Sequence, residues 1–160
     1  MEYFTQEILT FDPYASKEIR EAEDNKWIKA VHAYKTRVKS IENRLLKSVY
    51  KYYTTNTFHD CTLVSLQTDE QLKRTYPLIL QIEIQKEDNS RIILTYSNVQ
   101  KLQICYGSET LYRGFGSFVY DELLDRDEES LSHEIMLSTG SSIYIIFRNK
   151  GLKLTKKKSL

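Results

Sequence analysis

The spacing of apolar residues along the chain changes near Thr54. Before it, six apolar residues recur four, three, four, three and four positions apart, which is the spacing of one face of a helix. We call these six residues the helix seam: Trp27, Val31, Tyr34, Val38, Ile41 and Leu45. From Phe58 to Phe147 apolar residues mostly recur at every second position, as in a strand with one buried face. The pattern predicts an α+β protein: an N-terminal helix or bent helix pair packed on a C-terminal antiparallel sheet that could close into a barrel.

The helical part is predicted at about residues 13–54. Asp12 can cap a helix, and Pro13 suits the first helical position because its missing N–H has no partner there. One unbroken helix of this length would reach roughly 60 Å, which is long for a chain of 160 residues. We therefore predict two helices with a bend at residues 23–25, where Asp24 or Asn25 could cap the second helix. A coiled coil is the alternative interpretation of the helix seam.

Five to seven strands are predicted between about residues 58 and 148. Residues 78–85 and 91–96 alternate and flank a polar loop, which is typical of a hairpin. Residues 118–124 fit a short helix or a strand, and residues 131–137 and 143–147 fit the last strands. Residues 150–160, rich in lysine, are predicted to be a basic flexible tail. The helix seam is predicted to bury against Leu78, Leu80, Ile82, Ile84, Ile92, Leu94, Ile143 and Ile145.

Length and charge describe an ordinary globular protein. At 160 residues the chain fits one domain, and a net charge of +1 provides no overall attraction to nucleic acid or an anionic membrane. No apolar run approaches the ~20 residues that span a bilayer, and the N-terminus lacks the pattern of a signal peptide. We therefore expect a cytoplasmic protein. Cys61 and Cys105 both fall in strand-like segments and are predicted to be reduced core residues, with a disulfide as the alternative.

Two dipeptides are candidates for acid–base chemistry, His59-Asp60 and His133-Glu134. Each places a carboxylate beside an imidazole, which it could orient for proton transfer. Neighbouring residues of a strand point to opposite faces, however, so the two side chains of each pair need not meet. A structural role is therefore the favoured interpretation. We predict neither a metal nor a cofactor, because no H-E-x-x-H or C-x-x-C spacing is present.

An acidic segment follows the glycine-containing region and is a candidate partner-binding surface. It lacks the ligand spacing and turn glycine of a calcium loop, so a solvated face or a surface for a basic protein partner remains. Twelve tyrosines also suit a sheet that faces a partner. The candidate residues are Tyr120, Asp121, Glu122, Asp125, Asp127, Glu128 and Glu129.

Several short segments resemble known bacterial sequences. Residues 58–66, which include His59-Asp60, resemble the opening of several small uncharacterised bacterial families. Residues 118–123, 133–140 and 143–145 resemble the close of the same group, and Tyr3-Phe4-Thr5 resembles the start of a Firmicute family of unknown function. Some of these families look like immunity-type proteins that inhibit a partner. The resemblance implies protein binding and carries no catalytic chemistry.

Together these observations predict a non-enzymatic cytoplasmic module that binds another protein and that could be an immunity-type inhibitor of a toxin. One alternative is a small hydrolase-like enzyme with His59 or His133 as its acid–base group. Another is a nucleic-acid-associated protein that uses the basic helix end and the tail, although no recognisable nucleic-acid motif is present. The oligomeric state is left open, and a homodimer could form through the helix seam.

Overall fold

A computed structural model describes residues 1–5, 14–107 and 114–157 of the protein. In this part of the chain, two helices joined by a short 3-10 turn come first: α1 (Lys17–Ser40), the turn Glu42–Arg44 and α2 (Lys47–Thr55). Eight strands follow: β1 (Thr62–Glu70), β2 (Leu78–Gln85), β3 (Arg91–Tyr96), β4 (Val99–Cys105), β5 (Phe118–Asp125), β6 (Ser130–Leu137), β7 (Ser142–Arg148) and β8 (Leu152–Lys157). The predicted α+β class is confirmed.

The strands form two antiparallel sheets of four strands each. Their orders are β1-β2-β3-β8 and β4-β7-β6-β5. The prediction of a single sheet of five to seven strands is therefore corrected, and neither sheet closes into the barrel that the sequence left possible. Alternation along a strand records which face is buried. It does not specify which strands pair with each other, so the same alternation is expected for one sheet and for two.

The main core lies between the inner faces of the two sheets. Every second residue of β7, and of β2 from Leu80 onward, is fully buried, as the alternation predicted, whereas Leu78 is partly buried and packs against the core. Val49 and Tyr52 of α2 complete this core. Its most buried residues from the two sheets include Leu80, Ile82, Ile84, Ile92, Leu94, Leu131, Ile135, Ile143 and Ile145.

The helical part breaks at a different place from the one predicted. α1 begins after Ser16, whose Oγ accepts a hydrogen bond from the backbone N–H of Ile19, and it runs straight through residues 23–25. The predicted bend there is wrong, and the break falls at residues 41–46. At this break the guanidinium of Arg44 donates to the carbonyl of Ser130 at 2.8 Å and to Oδ1 of Asn149 at 2.9 Å, which joins the break to the second sheet and the turn after it. The predicted cap at Asp12 and Pro13 lies outside the described residues.

The break divides the helix seam between two clusters. Ile41 and Leu45 join the main core between the sheets, as predicted. Tyr34 and Val38 form a second cluster with Phe4, and Trp27 and Val31 pack against it. The prediction that the whole seam lies on β2, β3 and β7 is therefore wrong for its first four members. Their contacts are instead with the N-terminal residues and with Tyr120 and Leu124 of β5.

The segment predicted to be a flexible tail is in large part a strand. β8 pairs with β3 along its full length, with Leu154 opposite Leu94, and Leu152 is buried. Lysines flank its only two apolar residues, so the sequence resembles a solvated tail. Residues 158–160 of the predicted tail lie outside the described residues. Residues 118–124, predicted to be either a helix or a strand, lie in β5.

The two cysteines have different environments. Cys61 is buried in the main core, as predicted, and burial raises the pKa of its thiol. Cys105 is exposed on β4, so its prediction as a core residue is wrong. Both thiols are free, which leaves no disulfide between the strands. None of the helices that the structure describes is long and apolar enough to cross a membrane.

Candidate functional site

A pocket of about 480 Å³ lies between α1, the end of α2 and β5. We call it the aromatic pocket, because seven of its lining side chains are phenylalanine, tyrosine or tryptophan: Phe4, Trp27, Tyr34, Tyr52, Tyr53, Phe58 and Tyr120. The other lining residues are Val31, Lys35, Val38, Thr54, Thr55, Asn56, Thr57, His59 and Asp121. Its volume is in the range of pockets that hold small organic ligands.

One face of α1 forms a wall of the pocket. Trp27, Val31, Tyr34 and Val38 recur every three or four residues, so they share the face of α1 that looks toward β5. Two contacts fix this face against the strand. The Tyr34 hydroxyl accepts a hydrogen bond from the backbone N–H of Leu123 at 2.9 Å. Further along α1, Arg37 forms an ion pair with Asp125 at 2.7 Å.

Three aromatic rings pack together in the wall. Phe4 stacks on Tyr120 with 5.3 Å between ring centroids, and Trp27 lies 5.2 Å from Phe4 and 5.0 Å from Tyr120. Phe4 is held in place by Glu122, whose side chain is buried beneath the N-terminal residues. The backbone N–H groups of residues 2, 3 and 4 donate to the Glu122 carboxylate at 2.6, 2.7 and 2.6 Å. A buried carboxylate thus positions one ring of the pocket.

A polar network lies at the base of the pocket. Asp121, which lines the pocket, accepts two hydrogen bonds at Oδ2, one from the Tyr53 hydroxyl at 2.8 Å and one from His133 Nε2 at 2.9 Å. The other ring nitrogen of His133 lies 2.5 Å from the Tyr96 hydroxyl. His133 is fully buried behind Asp121, while 9% of the Asp121 side chain stays exposed.

The hydrogen bonds indicate which atoms carry the protons. Tyr96 is fully buried, and its hydroxyl has one described partner, the Nδ1 atom of His133. If His133 were doubly protonated, Nδ1 would donate and the Tyr96 proton would have no described acceptor. The satisfied arrangement is therefore a neutral imidazole that accepts from Tyr96 at Nδ1 and donates from Nε2 to the side chain of Asp121. Burial, followed by the charge of Asp121, raises the pKa values of Tyr53 and Tyr96 well above the usual value.

The structure separates the two candidate histidines. His59 lines the aromatic pocket and is partly exposed, with its Nδ1 3.3 Å from Oδ1 of Asp60. The pair meets because it lies in a turn before β1, where Asp60 has a φ of 62°, and not in a strand. His133 and Glu134 are neighbours in β6 and point to opposite faces of the sheet. The imidazole is therefore buried, while the Glu134 carboxylate forms an ion pair with the Met1 nitrogen at 2.7 Å. Among the described residues, no three potential ligands are grouped as a metal site would require.

The seven acidic-segment residues do not form one exposed surface. Tyr120 and Asp121 line the pocket, Glu122 is buried, and Asp125 pairs with Arg37 of α1. The remaining three, Asp127, Glu128 and Glu129, lie in the loop before β6. Asp127 accepts the backbone N–H groups of residues 129 and 130 at 2.9 and 2.8 Å, which orders this loop and lowers the pKa of the Asp127 carboxyl. A partner-binding role for the exposed loop residues stays a prediction.

Several residues of the site were not predicted from the sequence. Tyr53 and Tyr96 gave no signal beyond the high tyrosine content, because their partners, Asp121 and His133, are distant in sequence. The position of His133 does carry a signal. It shares every-second-residue spacing with Leu131, Ile135 and Leu137, which predicts a side chain that points inward with them. A histidine on the apolar face of a strand needs buried polar partners.

Comparisons of the chain with models of known protein families, with curated proteins and with solved structures found no match. The resemblance to a Firmicute family and to immunity-type proteins therefore stays a prediction. The geometry of the aromatic pocket, with Asp121 at its base, is the observation that bears most directly on function.

Proposed function

We propose that this protein is a non-enzymatic binding module that holds a small organic molecule in the aromatic pocket. The observation that carries the proposal is a cavity of about 480 Å³ with seven aromatic side chains in its lining. Aromatic side chains offer large apolar surfaces at fixed geometry, and tyrosine adds a hydroxyl that can orient a ligand. A few polar groups among apolar walls are typical of sites that bind small molecules.

The hydrogen bonds around the pocket favour binding over catalysis. A general base must reach the proton that it removes, but His133 is fully buried and both of its ring nitrogens are engaged. Of the three threonine hydroxyls in the described lining, that of Thr57 accepts the backbone N–H of His59 at 3.0 Å, and the other two donate to backbone carbonyls. Thr54 donates to the carbonyl of Tyr50 at 3.1 Å, and Thr55 donates to the carbonyl of Lys51 at 2.7 Å. Neither hydroxyl is placed beside a base that would activate it as a nucleophile.

Trp27 allows a direct test, because it is the only tryptophan of the chain and it lines the pocket. Phenyl compounds with neutral, cationic and anionic side chains would be titrated while the emission of Trp27 is recorded. We expect at least one class to give saturable binding with a Kd below about 1 mM, which corresponds to about 4 kcal/mol. Ligand-observed NMR would measure the same equilibrium independently.

Two substitutions on α1 form a matched pair for this test. Val31→Phe places a larger side chain in the pocket, whereas Ile28→Phe places the same ring on an exposed position of the same helix. Val31→Phe should weaken binding at least tenfold, and Ile28→Phe should leave the Kd unchanged. If no compound of any class binds, or if both variants bind like the unaltered protein, the proposal is wrong.

His59 supports a second candidate function, a hydrolase-like activity. Its imidazole lies at the aromatic pocket and is partly exposed, and Asp60 at 3.3 Å could orient it as an acid–base group. The test is hydrolysis of p-nitrophenyl esters with short and aromatic acyl groups. This activity requires that His59→Ala lower the rate at least about 100-fold. Equal rates for the variant and the unaltered protein would remove the hypothesis.

A further inference from the structure

The two neighbouring carboxylates of β5 differ in how their charge is satisfied. Glu122 is buried and accepts three backbone N–H groups at 2.6 to 2.7 Å, so it needs no further partner. Asp121 accepts two hydrogen bonds, and both go to Oδ2. Oδ1 of Asp121 thus has no described hydrogen bond in the part of the chain that the structure covers.

The donors to Asp121 are both neutral. Tyr53 donates a hydroxyl, and the proton arrangement deduced above makes His133 an uncharged imidazole. Neutral donors stabilise a carboxylate but leave its charge in place. A negative charge among apolar walls is costly unless an opposite charge comes close. The base of the aromatic pocket therefore favours a cation and disfavours an anion.

The rest of the pocket matches the same kind of ligand. The faces of tryptophan and tyrosine rings attract cations, and Trp27 and Tyr120 both belong to the lining. Lys35 is the one lysine or arginine among the lining residues that the structure describes. It is exposed, and the structure describes no ion pair between it and Asp121. Its ammonium group would repel a ligand cation weakly, because water screens charges at an exposed position.

We propose that the ligand of the aromatic pocket is a small organic amine, with a protonated amino group that donates to Asp121 and an apolar body that packs against Trp27 and Tyr120. This assignment rests on the binding function proposed above. It adds a chemical class to that function and names Asp121 as the residue that selects the amine.

The experiment compares three compounds of similar size at pH 7.5: 2-phenylethylamine, 2-phenylethanol and 3-phenylpropionate. Their Kd values would be measured by ligand-observed NMR, since amines can quench tryptophan emission without binding in the pocket. We expect the amine to bind about tenfold more tightly than the alcohol, because it adds a charge-assisted hydrogen bond. The carboxylate should bind most weakly. The advantage of the amine should decrease as salt is added.

Three variants assign the preference to Asp121. Asp121→Asn should abolish the tenfold preference for the amine over the alcohol. Glu129→Gln removes the same charge from an exposed position outside the pocket and should preserve the preference. Lys35→Gln should strengthen amine binding two- to fivefold without changing alcohol binding. This last variant leaves the buried network intact, so it decides the question even if Asp121→Asn fails to fold.

The outcomes separate the two proposals. If the amine and the alcohol bind the unaltered protein with equal Kd values, the amine assignment is wrong while the binding function stands. If the preference survives in folded Asp121→Asn, or if Lys35→Gln weakens amine binding, the assignment to Asp121 is wrong. If none of the three compounds binds and the wider panel of phenyl compounds also fails, the binding function itself is contradicted.

Discussion

At Glu122, a single side chain connects the N-terminal residues to the sheet. Glu122 is 1% exposed, and its carboxylate accepts the backbone N–H groups of three successive residues. Hydrogen bonds from several amides to one carboxylate are stronger than neutral ones, and they offset the cost of burying the charge. Because Phe4 is the third of these residues, the same bonds fix a ring of the aromatic pocket.

Replacing Glu122 by alanine should therefore release the N-terminal residues. Three amides lose their acceptor, and the amide of Phe4 is buried, so we expect a loss of about 2 to 4 kcal/mol in the free energy of unfolding. Urea denaturation would measure the loss, and hydrogen exchange at residues 2–4 would locate it. Glu129→Gln, at an exposed ion pair, is the control and should cost less than about 1 kcal/mol. Unchanged protection of these amides would contradict the assigned role.

At the residue scale, the spacing of apolar residues carries information on where a side chain points, but not on which residues it contacts. The period of β6 indicates that His133 points inward, but nothing in the sequence links it to Tyr96, which lies 37 positions earlier. For His59 and Asp60 the strand rule suggested that the side chains need not meet. A turn with a positive φ at Asp60 brings them together. Contacts between distant residues depend on strand pairing, which local spacing does not specify.

At the scale of elements, α1 covers an open edge of the second sheet. β5 is the edge strand of that sheet, and an edge strand presents backbone N–H groups without a partner strand. The Tyr34 hydroxyl accepts one of them, the N–H of Leu123, at 2.9 Å in a buried environment. Arg37 adds an ion pair to Asp125 at the end of the same strand. The helix therefore protects the strand and forms a wall of the pocket with the same face.

Tyr34→Phe should reveal how much the hydrogen bond from Leu123 to the Tyr34 hydroxyl contributes to the free energy of unfolding. The substitution keeps the ring but leaves the buried N–H of Leu123 without an acceptor, which costs about 1 to 3 kcal/mol. Tyr106→Phe, the same chemical change at an exposed position, should cost less than about 0.5 kcal/mol. Thermal or urea unfolding of both variants would make the comparison. Equal stabilities for the two variants would show that the Tyr34 hydroxyl does not support the edge.

Elements with strong periodicity were predicted accurately, and weakly patterned ones were not. β2 and β3 begin and end where the alternation indicates. The break between α1 and α2 was missed. It is accompanied by contacts of Arg44 with Ser130 and Asn149, far along the chain, which local spacing does not specify. β8 was missed because a lysine-rich edge strand resembles a tail. The aromatic pocket was missed for a related reason, since it forms where α1, α2 and β5 come together.

Across the whole molecule, stability at high pH should depend on buried tyrosines. Burial is the largest cause that raises the pKa values of Tyr34, Tyr53 and Tyr96 well above the usual value, and the charge of Asp121 adds to it. In the unfolded chain these hydroxyls ionise near pH 10. A pKa that is raised in the folded state stabilises the protein fully below pH 10, and this stability is lost as the pH rises above that value.

We expect the free energy of unfolding to decrease above pH 10. Each buried tyrosine should contribute about 1.4 kcal/mol per pH unit to this decrease. Urea denaturation at intervals from pH 8 to 11.5 would measure it, and tyrosinate absorbance would show whether the buried rings ionise only on unfolding. Tyr96→Phe should lower the stability at pH 8, because the hydroxyl that donates to His133 is lost, yet make the alkaline decrease less steep. The substitution thus lowers the free energy of unfolding at pH 8 but reduces its further loss above pH 10. A general destabilisation would lower the free energy of unfolding without changing that alkaline slope. A variant with the same alkaline slope as the unaltered protein would contradict the role of Tyr96.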